Sequence, residues 1–220
     1  MMANMMSSSD RVRVRKPASE RRAEILATAA SIALGEGLER ITVRSVASRL
    51  DVRPGLVSHY FPAIDTLVVE AFTTAAREGQ LDTRSSDDTP AERLAAIIGD
   101  LRSEEAHAQF RLWSSARNVS RTSAAMAMAL EELEEAGRSR LIELIESGIR
   151  AGEFGDVDAI AACVRIYMAI DGYGTYANNP LPFDHDSYEF FIADVAEWAL
   201  GLAPGTLRSV RNARQAVSPG

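Results

Sequence analysis

Cys163 is the only cysteine in 220 residues, so no disulfide can form within the chain. No apolar segment of signal length precedes the first charged residues, and no run approaches the roughly 20 apolar residues that a membrane helix needs. Both observations point to a cytoplasmic protein with no membrane partner. His59, His107 and His185 are the only histidines; they show no ligand spacing, and Cys163 is far from all three in sequence. No metal and no cofactor are expected. Asp171-Gly172-Tyr173-Gly174 lacks the third glycine and the strand context of a dinucleotide loop, and no Ser-His-Asp or phosphate-loop spacing occurs. Catalysis is therefore not the expected activity.

What is present is a composition of 46% hydrophobic and 25% charged residues, ordinary for a globular, mainly helical chain with room for one large or two small domains. The net charge of -7 hides an uneven distribution. Residues 11–61 carry ten basic against five acidic side chains, a local +5, whereas residues 62–220 carry 14 basic and 25 acidic. A basic head on an acidic body suits contact with nucleic acid through the head, because phosphate neutralisation supplies most non-specific affinity. A solvated basic face is the alternative.

Periodicity divides that head into three helices. The first follows Ser19, places Ile25, Leu26, Ala29, Ile32 and Ala33 on one face, and stops at Gly37. Thr42 caps a second helix of about two turns that buries Val46 and Leu50 and leaves Arg44, Ser45 and Arg49 outward. Asp51-Val52-Arg53 breaks the pattern, and Pro54 suits the first position of a third helix, "PGLVSHYF", which Pro62 ends. A helix, a short corner and a second short helix is the helix-turn-helix pattern, whose second helix enters the DNA major groove. Val57 and Phe61 share the inward face of that helix, and Ser58 and His59 point elsewhere beside Gly55. His59 either packs against Phe61 or touches DNA. Gly55 leaves the helix start open to a phosphate.

From Arg22 to Phe72 these residues resemble the DNA-binding region of the tetracycline-repressor (TetR) family of bacterial one-component regulators. Ile25-Leu26, Ala29, Gly37, Thr42-Val43, Val46-Ala47, Val52, Gly55, Phe61 and Leu67 occupy the family's marked positions. "GLVSHYF" is similar to the choline-sensing (BetI-like) branch. The resemblance implies an all-α fold of about nine helices, with a helix-turn-helix domain over 17–62 and a larger helical sensor and dimerisation domain over 63–202. It implies a DNA-contacting set of Thr42, Arg44, Arg53, Gly55, Leu56, Ser58, His59 and Tyr60. Two departures stand out: Ile64 replaces a phosphate-contacting lysine, and Asp51 stands where a small residue usually precedes the turn's glycine. The basic arm within residues 1–16, Arg11-Val12-Arg13-Val14-Arg15-Lys16, is a substitute source of cations.

The acidic body reads as helices over about 90–102, 104–117, 121–151, 157–177 and 186–202, with a loose tail over 203–220. Phe110, Trp113, Met126, Tyr167, Asp171 and Tyr173 are the candidate effector contacts; as plain core residues the large ones are equally intelligible. The spacing Ile160, Val164, Tyr167, Asp171, Gly174 puts a carboxylate on an otherwise apolar stripe. Its partner is then a protein Arg or Tyr, or a cationic effector such as an amine or quaternary ammonium. Ile166, Ile170, Phe190, Ala193, Val195 and Trp198 exceed what one inward face requires, which suits a four-helix homodimer interface. The function expected is a ligand-responsive repressor that binds a palindromic double-stranded operator as a dimer and is released by a small-molecule effector. The alternative is a helical interaction module whose basic head binds another protein.

Overall fold

The computed structural model describes residues 17–79, 88–179 and 183–217. The basic arm Arg11–Lys16 lies outside them. Eleven α-helices and no strand occur among the described residues. Helix α1 (Ala18–Glu36) begins after Pro17 and stops at Gly37, whose φ of 103° turns the chain while its N–H still bonds Ile32 and Ala33 carbonyls. A 3-10 turn (Leu38–Arg40) leads to α2 (Val43–Arg49), held at its start by a reciprocal Thr42–Ser45 capping box. Helix α3 (Pro54–Tyr60) starts on Pro54, and α4 (Ile64–Glu78) carries the chain away from the head. Asp51 does not merely precede the special residue of the turn between α2 and α3; at φ 52° it is that residue, a left-handed conformation that Asp tolerates better than most side chains.

In the body, α5 (Pro90–Asp100) opens with a Thr89–Glu92 capping box and a proline at its first turn. Serine side chains cap α6 (Glu104–Ser120) and α7 (Ala124–Arg150), and Asp158 caps α8 (Ala159–Ala177). Then follow α9 (Asp186–Glu189), α10 (Phe191–Ala199) and α11 (Thr206–Val217). Eleven helices instead of nine arise from two differences. The chain turns at Phe190, so the single helix expected over 186–202 is two. The tail expected to be loose contains α11, because Leu207 and Val210 give it an apolar face that packs on the core around α5.

Two cores result. One joins Ile25, Ile32, Val46, Val57, Phe61, Leu67 and Phe72 of the head to Leu112, Met126, Leu130 and Leu133 of the body. The other gathers Leu94, Ile145, Phe154, Cys163, Ile166, Leu200 and Leu207. Helix α7, 27 residues long, contributes to both.

Glu197 holds α10 to α11. It is 2% exposed, and its carboxylate accepts from the Gly205 N–H at 2.6 Å and the Leu207 N–H at 2.8 Å, at the start of α11. Removing the acceptor leaves the buried Leu207 N–H and the half-buried Gly205 N–H unpaired. Glu197→Ala should therefore lower the unfolding free energy by about 2–4 kcal/mol, read from urea midpoints; a loss below 0.5 would show that water replaces the carboxylate at little cost.

Candidate nucleic-acid interface and effector cleft

The outward side of the head combines a rigid frame with free cations. Arg22 stacks its guanidinium 4.6 Å over the Phe61 ring and donates to both Glu70 oxygens at 2.6 and 2.7 Å, tying α1 to α4. Arg21 pairs with Glu24 and Arg49 with Glu36. Three arginines that contribute to the +5 are thus committed within the head. Arg40, Arg44 and Arg53 are exposed and make no ion pair among the described residues. Gly55, Ser58 and His59 are exposed along α3, and a Cβ on Gly55 would meet open space. Val57 and Phe61 are buried beneath them, as the spacing requires.

The remaining members of the expected DNA-contacting set are partly occupied. The Thr42 hydroxyl accepts the Ser45 N–H at 3.0 Å as the cap of α2. Leu56 and Tyr60 are half-buried, and the Tyr60 ring meets His59 edge-on at 5.2 Å and packs on the head core. Gly55, Ser58, His59, Arg44 and Arg53 form the accessible polar surface, with a backbone that a phosphate can approach.

Below the head, α4 to α8 surround a cleft of about 1590 Å³. Phe110, Trp113, Tyr167 and Asp171 line it together with Gln109, Arg117, Glu134, Arg140 and Ile170. Two expected members are elsewhere. Met126 is fully buried in the head-body core because α7 enters that core at its first turn. Tyr173 turns to the opposite side of α8, stacks on Tyr188 at 5.0 Å and lines a smaller cleft. Tyr173 therefore does not frame Asp171, whereas Trp113 lines the same cleft and sits edge-on to Phe72 of α4 at 5.4 Å.

The partner of Asp171 is Arg117, whose Nη2 is 3.1 Å from Oδ1 and also 3.1 Å from Glu134. One cation is shared by two carboxylates. Arg138 approaches Glu134 at 3.7 Å from the next turn of α7. Burial raises the Asp171 carboxyl above its ordinary value, opposed by the charge and hydrogen bond of Arg117, while Glu134 adds to the rise. Burial also pushes the Tyr167 hydroxyl up to about 12. Arg117, Gln109 and Glu134 had no distinguishing spacing in the sequence; each becomes visible only when α6, α7 and α8 are brought together.

The expected dimer residues divide. Ile166 and Ala193 are 1% and 6% exposed and belong to the protomer's own interior, so neither can form an interface. Ile170 lines the cleft, and Phe190 is half-buried under the Arg102 and Arg208 guanidinia. Val195 is half-buried, and Trp198 is 68% exposed with the Arg165 guanidinium 4.8 Å over its ring. The outward apolar row of α8 is Ile160, Val164 and Met168, at 64%, 51% and 63% exposure. Consequently the stripe from Ile160 to Gly174 is not one buried face: its first two members face out, Tyr167 and Asp171 face the cleft, and Gly174 is buried.

No group of three or more His, Cys, Asp or Glu side chains among the described residues is placed to hold a metal ion, and no described helix is long and apolar enough to cross a membrane.

No family model and no curated protein sequence matches the chain. Its fold does match solved structures. A protein from Saccharomonospora viridis, described as a transcriptional regulator and solved in complex with choline, aligns with a TM-score of 0.71 at 20% identity over 81% of this chain and 96% of that one. A TetR transcription regulator from Haloarcula marismortui aligns at 0.68 with 20% identity over 83% and 97%. A TetR-family transcriptional regulator from Agrobacterium tumefaciens aligns at 0.63 with 16% identity over 87% and 97%. The architecture of the chain is thus that of these regulators, an all-helical fold with an N-terminal helix-turn-helix and a helical C-terminal domain.

The shifted carboxyl has a testable sign. Folded Asp171 keeps its proton to higher pH than the unfolded chain does, so the native state binds more protons in that window and stability falls as pH rises through it. Wild type should gain stability relative to Asp171→Asn as the pH is lowered from about 7 to about 4. Urea midpoints of the two proteins across that range test it; a constant difference would mean an unshifted group.

Proposed function

We propose that the chain is a ligand-responsive DNA-binding transcriptional regulator, a repressor that binds a palindromic operator as a homodimer and releases it when a small molecule enters the cleft. The observation that carries this reading is the helix-turn-helix surface, where Arg44 and Arg53 make no ion pair among the described residues and lie beside Gly55, Ser58 and His59. Guanidinium groups there can take phosphates or the O6 and N7 edge of guanine, and His59 and Ser58 can bond base edges in the same groove. The outward row Ile160, Val164, Met168 with Trp198 supports self-association through α8 and α10. Two recognition helices held about 34–36 Å apart would then meet successive turns of one DNA face.

A cytoplasmic location follows from that role. The effector cleft adjoins α4 directly, and its apolar walls with a few convergent polar groups suit a small organic ligand. An amine or quaternary ammonium is supported by the choline bound to the Saccharomonospora viridis protein. In this chain such a cation must compete with Arg117 for Asp171 and Glu134.

Selection of binding sites from random duplex DNA tests the reading. The selected sites should be palindromic, and affinity should fall linearly in log-log form with salt; failure to enrich any duplex would leave the head as a protein-binding module. Arg44→Ala should weaken binding to the selected site by about 1–3 kcal/mol and relax preference at one position of each half-site. The double substitution Met168→Glu with Trp198→Glu should yield monomers in sedimentation with the helical content retained, and operator affinity should drop with it. A variant that sediments as a dimer would remove the α8 and α10 face from assembly.

A further inference from the structure

The smaller cleft, on the other side of α8 from the effector cleft, is lined by side chains from α5, α8, α10 and α11 and the turns beside them. Arg102, Arg208 and Arg211 all border a space of about 40 Å³. Arg102 and Arg208 stack on one ring, that of Phe190, at 5.9 and 4.3 Å. Arg211 lies against α5 where Gly99 leaves room; a Cβ there would come within 2.7 Å of its Nε and Cζ. Among the described residues the single carboxylate bordering the space is Glu189, which pairs with Arg102 at 2.6 Å. Tyr173 completes the wall. It is 7% exposed, and its hydroxyl makes no hydrogen bond among the described residues, while the Arg102 and Glu189 charges act on it.

Three cations with one anion beside so small a space repel one another. A bound group that relieves this must be anionic, carry several acceptor oxygens and be compact, and the Tyr173 hydroxyl, which bonds no described residue, can donate to it. The uncompensated charge of two matches a dianion, and space for two or three waters matches a tetrahedral oxyanion better than a bulky acid. Phosphate, with a charge of about -1.5 to -2 near neutral pH, meets each requirement. The start of α11 plays no part, since Glu197 already occupies its Gly205 and Leu207 amides.

We propose that Arg102, Arg208, Arg211 and the Tyr173 hydroxyl form a binding site for a phosphate group, free or carried by a small monoester. Arg208 and Arg211 supply the uncompensated charge, Arg102 is oriented by Glu189, and Tyr173 donates from beneath. The site is separate from the effector cleft and independent of operator binding, so it stands or falls without DNA.

Calorimetric titration of the full chain with inorganic phosphate and with methyl phosphate, at ionic strength held constant with sodium chloride, tests it. Saturable binding of at least one of the two is expected, together with a raised melting temperature. If both bind, the site accepts a phosphate headgroup; if inorganic phosphate alone binds, it is a closed ion site. Arg208→Gln and Arg211→Gln should each weaken binding at least about tenfold. Gly99→Ala, which removes no charge, should weaken it by displacing Arg211, and Tyr173→Phe should weaken it while keeping the ring stack. Arg150→Gln, at the last turn of α7 beside Glu146, should bind as wild type. No saturable heat for either ligand, or wild-type affinity in Arg208→Gln, would overturn the proposal.

Discussion

Leu67, Ala71, Phe72, Ala75 and Ala76 bury one stripe of α4, with α1 packed on one side and α6 and α7 on the other. The three alanines let neighbouring backbones come close, and Phe72 fills the space beneath Trp113. Full burial of a leucine or phenylalanine contributes about 1.5–3 kcal/mol, so detaching α4 from either side would cost several such terms. The head therefore has no flexible hinge to the body. Its core continues through α4 into Leu112, Ala116, Met126 and Leu130. Any displacement of α3 relative to the body must be a concerted shift of packed helices, not a swing about a linker.

The head was readable from the sequence because its signals are local and mutually consistent. Thr42 caps, Pro54 starts and Gly37 stops helices whose apolar positions leave only one possible inward face. Helix α8 offers no such restriction. "AIAACVRIYMAIDGYGTYA" is apolar on nearly every side, so periodicity establishes that a helix exists without establishing its rotation. Ile166 and Ala169 face the protomer, whereas Ile160, Val164 and Met168 face out. Both sets follow helical spacing, and only the packing of α10, α7 and α6 on α8 selects between them. The same limit hid α11: its arginines suggested a solvated tail, and the two residues that anchor it, Leu207 and the distant Glu197, are ten positions apart.

Among site residues, the exposed polar surface of α3 was legible, since burying Val57 and Phe61 dictates which side chains remain outside. Asp171 was legible as a half-buried carboxylate in need of a partner, but Arg117 was not nameable as that partner; the contact spans 54 positions. Phe110, Trp113 and Tyr167 all line the cleft, Phe110 lying against Gly174 of α8, Trp113 against Phe72 of α4 and Tyr167 against Gly137 of α7. Tyr173, six residues after Tyr167, falls on the far side of α8 and borders the arginine-lined cleft instead. Composition suggests a pocket in such a body, and helix rotation decides which aromatic side chain enters which pocket.

Under the proposed function, Gln109 offers a route from a ligand in the cleft to the head. Its Nε2 donates to the Ala75 carbonyl of α4 at 3.0 Å, a carbonyl that also accepts the Gly79 N–H at the helix end. Its Oε1 is buried with no partner among the described residues. The side chain thus grips the last turn of α4 with one end and borders the cleft with the other. One turn further along α6, Trp113 bears edge-on on Phe72, one turn earlier in α4. A ligand that moved α6 would act on α4 at two points separated by about one helical turn, which constrains rotation as well as translation. Because α4 also carries the carboxylate of Glu70 that holds Arg22, such a motion passes to α1 through a bidentate ion pair and not only through apolar contact. The ligand can drive this only through its unequal affinity for the two arrangements, and each tenfold change in operator affinity requires about 1.4 kcal/mol of that difference. Satisfying the Gln109 oxygen in one arrangement and not the other would supply a difference of this size, about 1–3 kcal/mol for one buried acceptor.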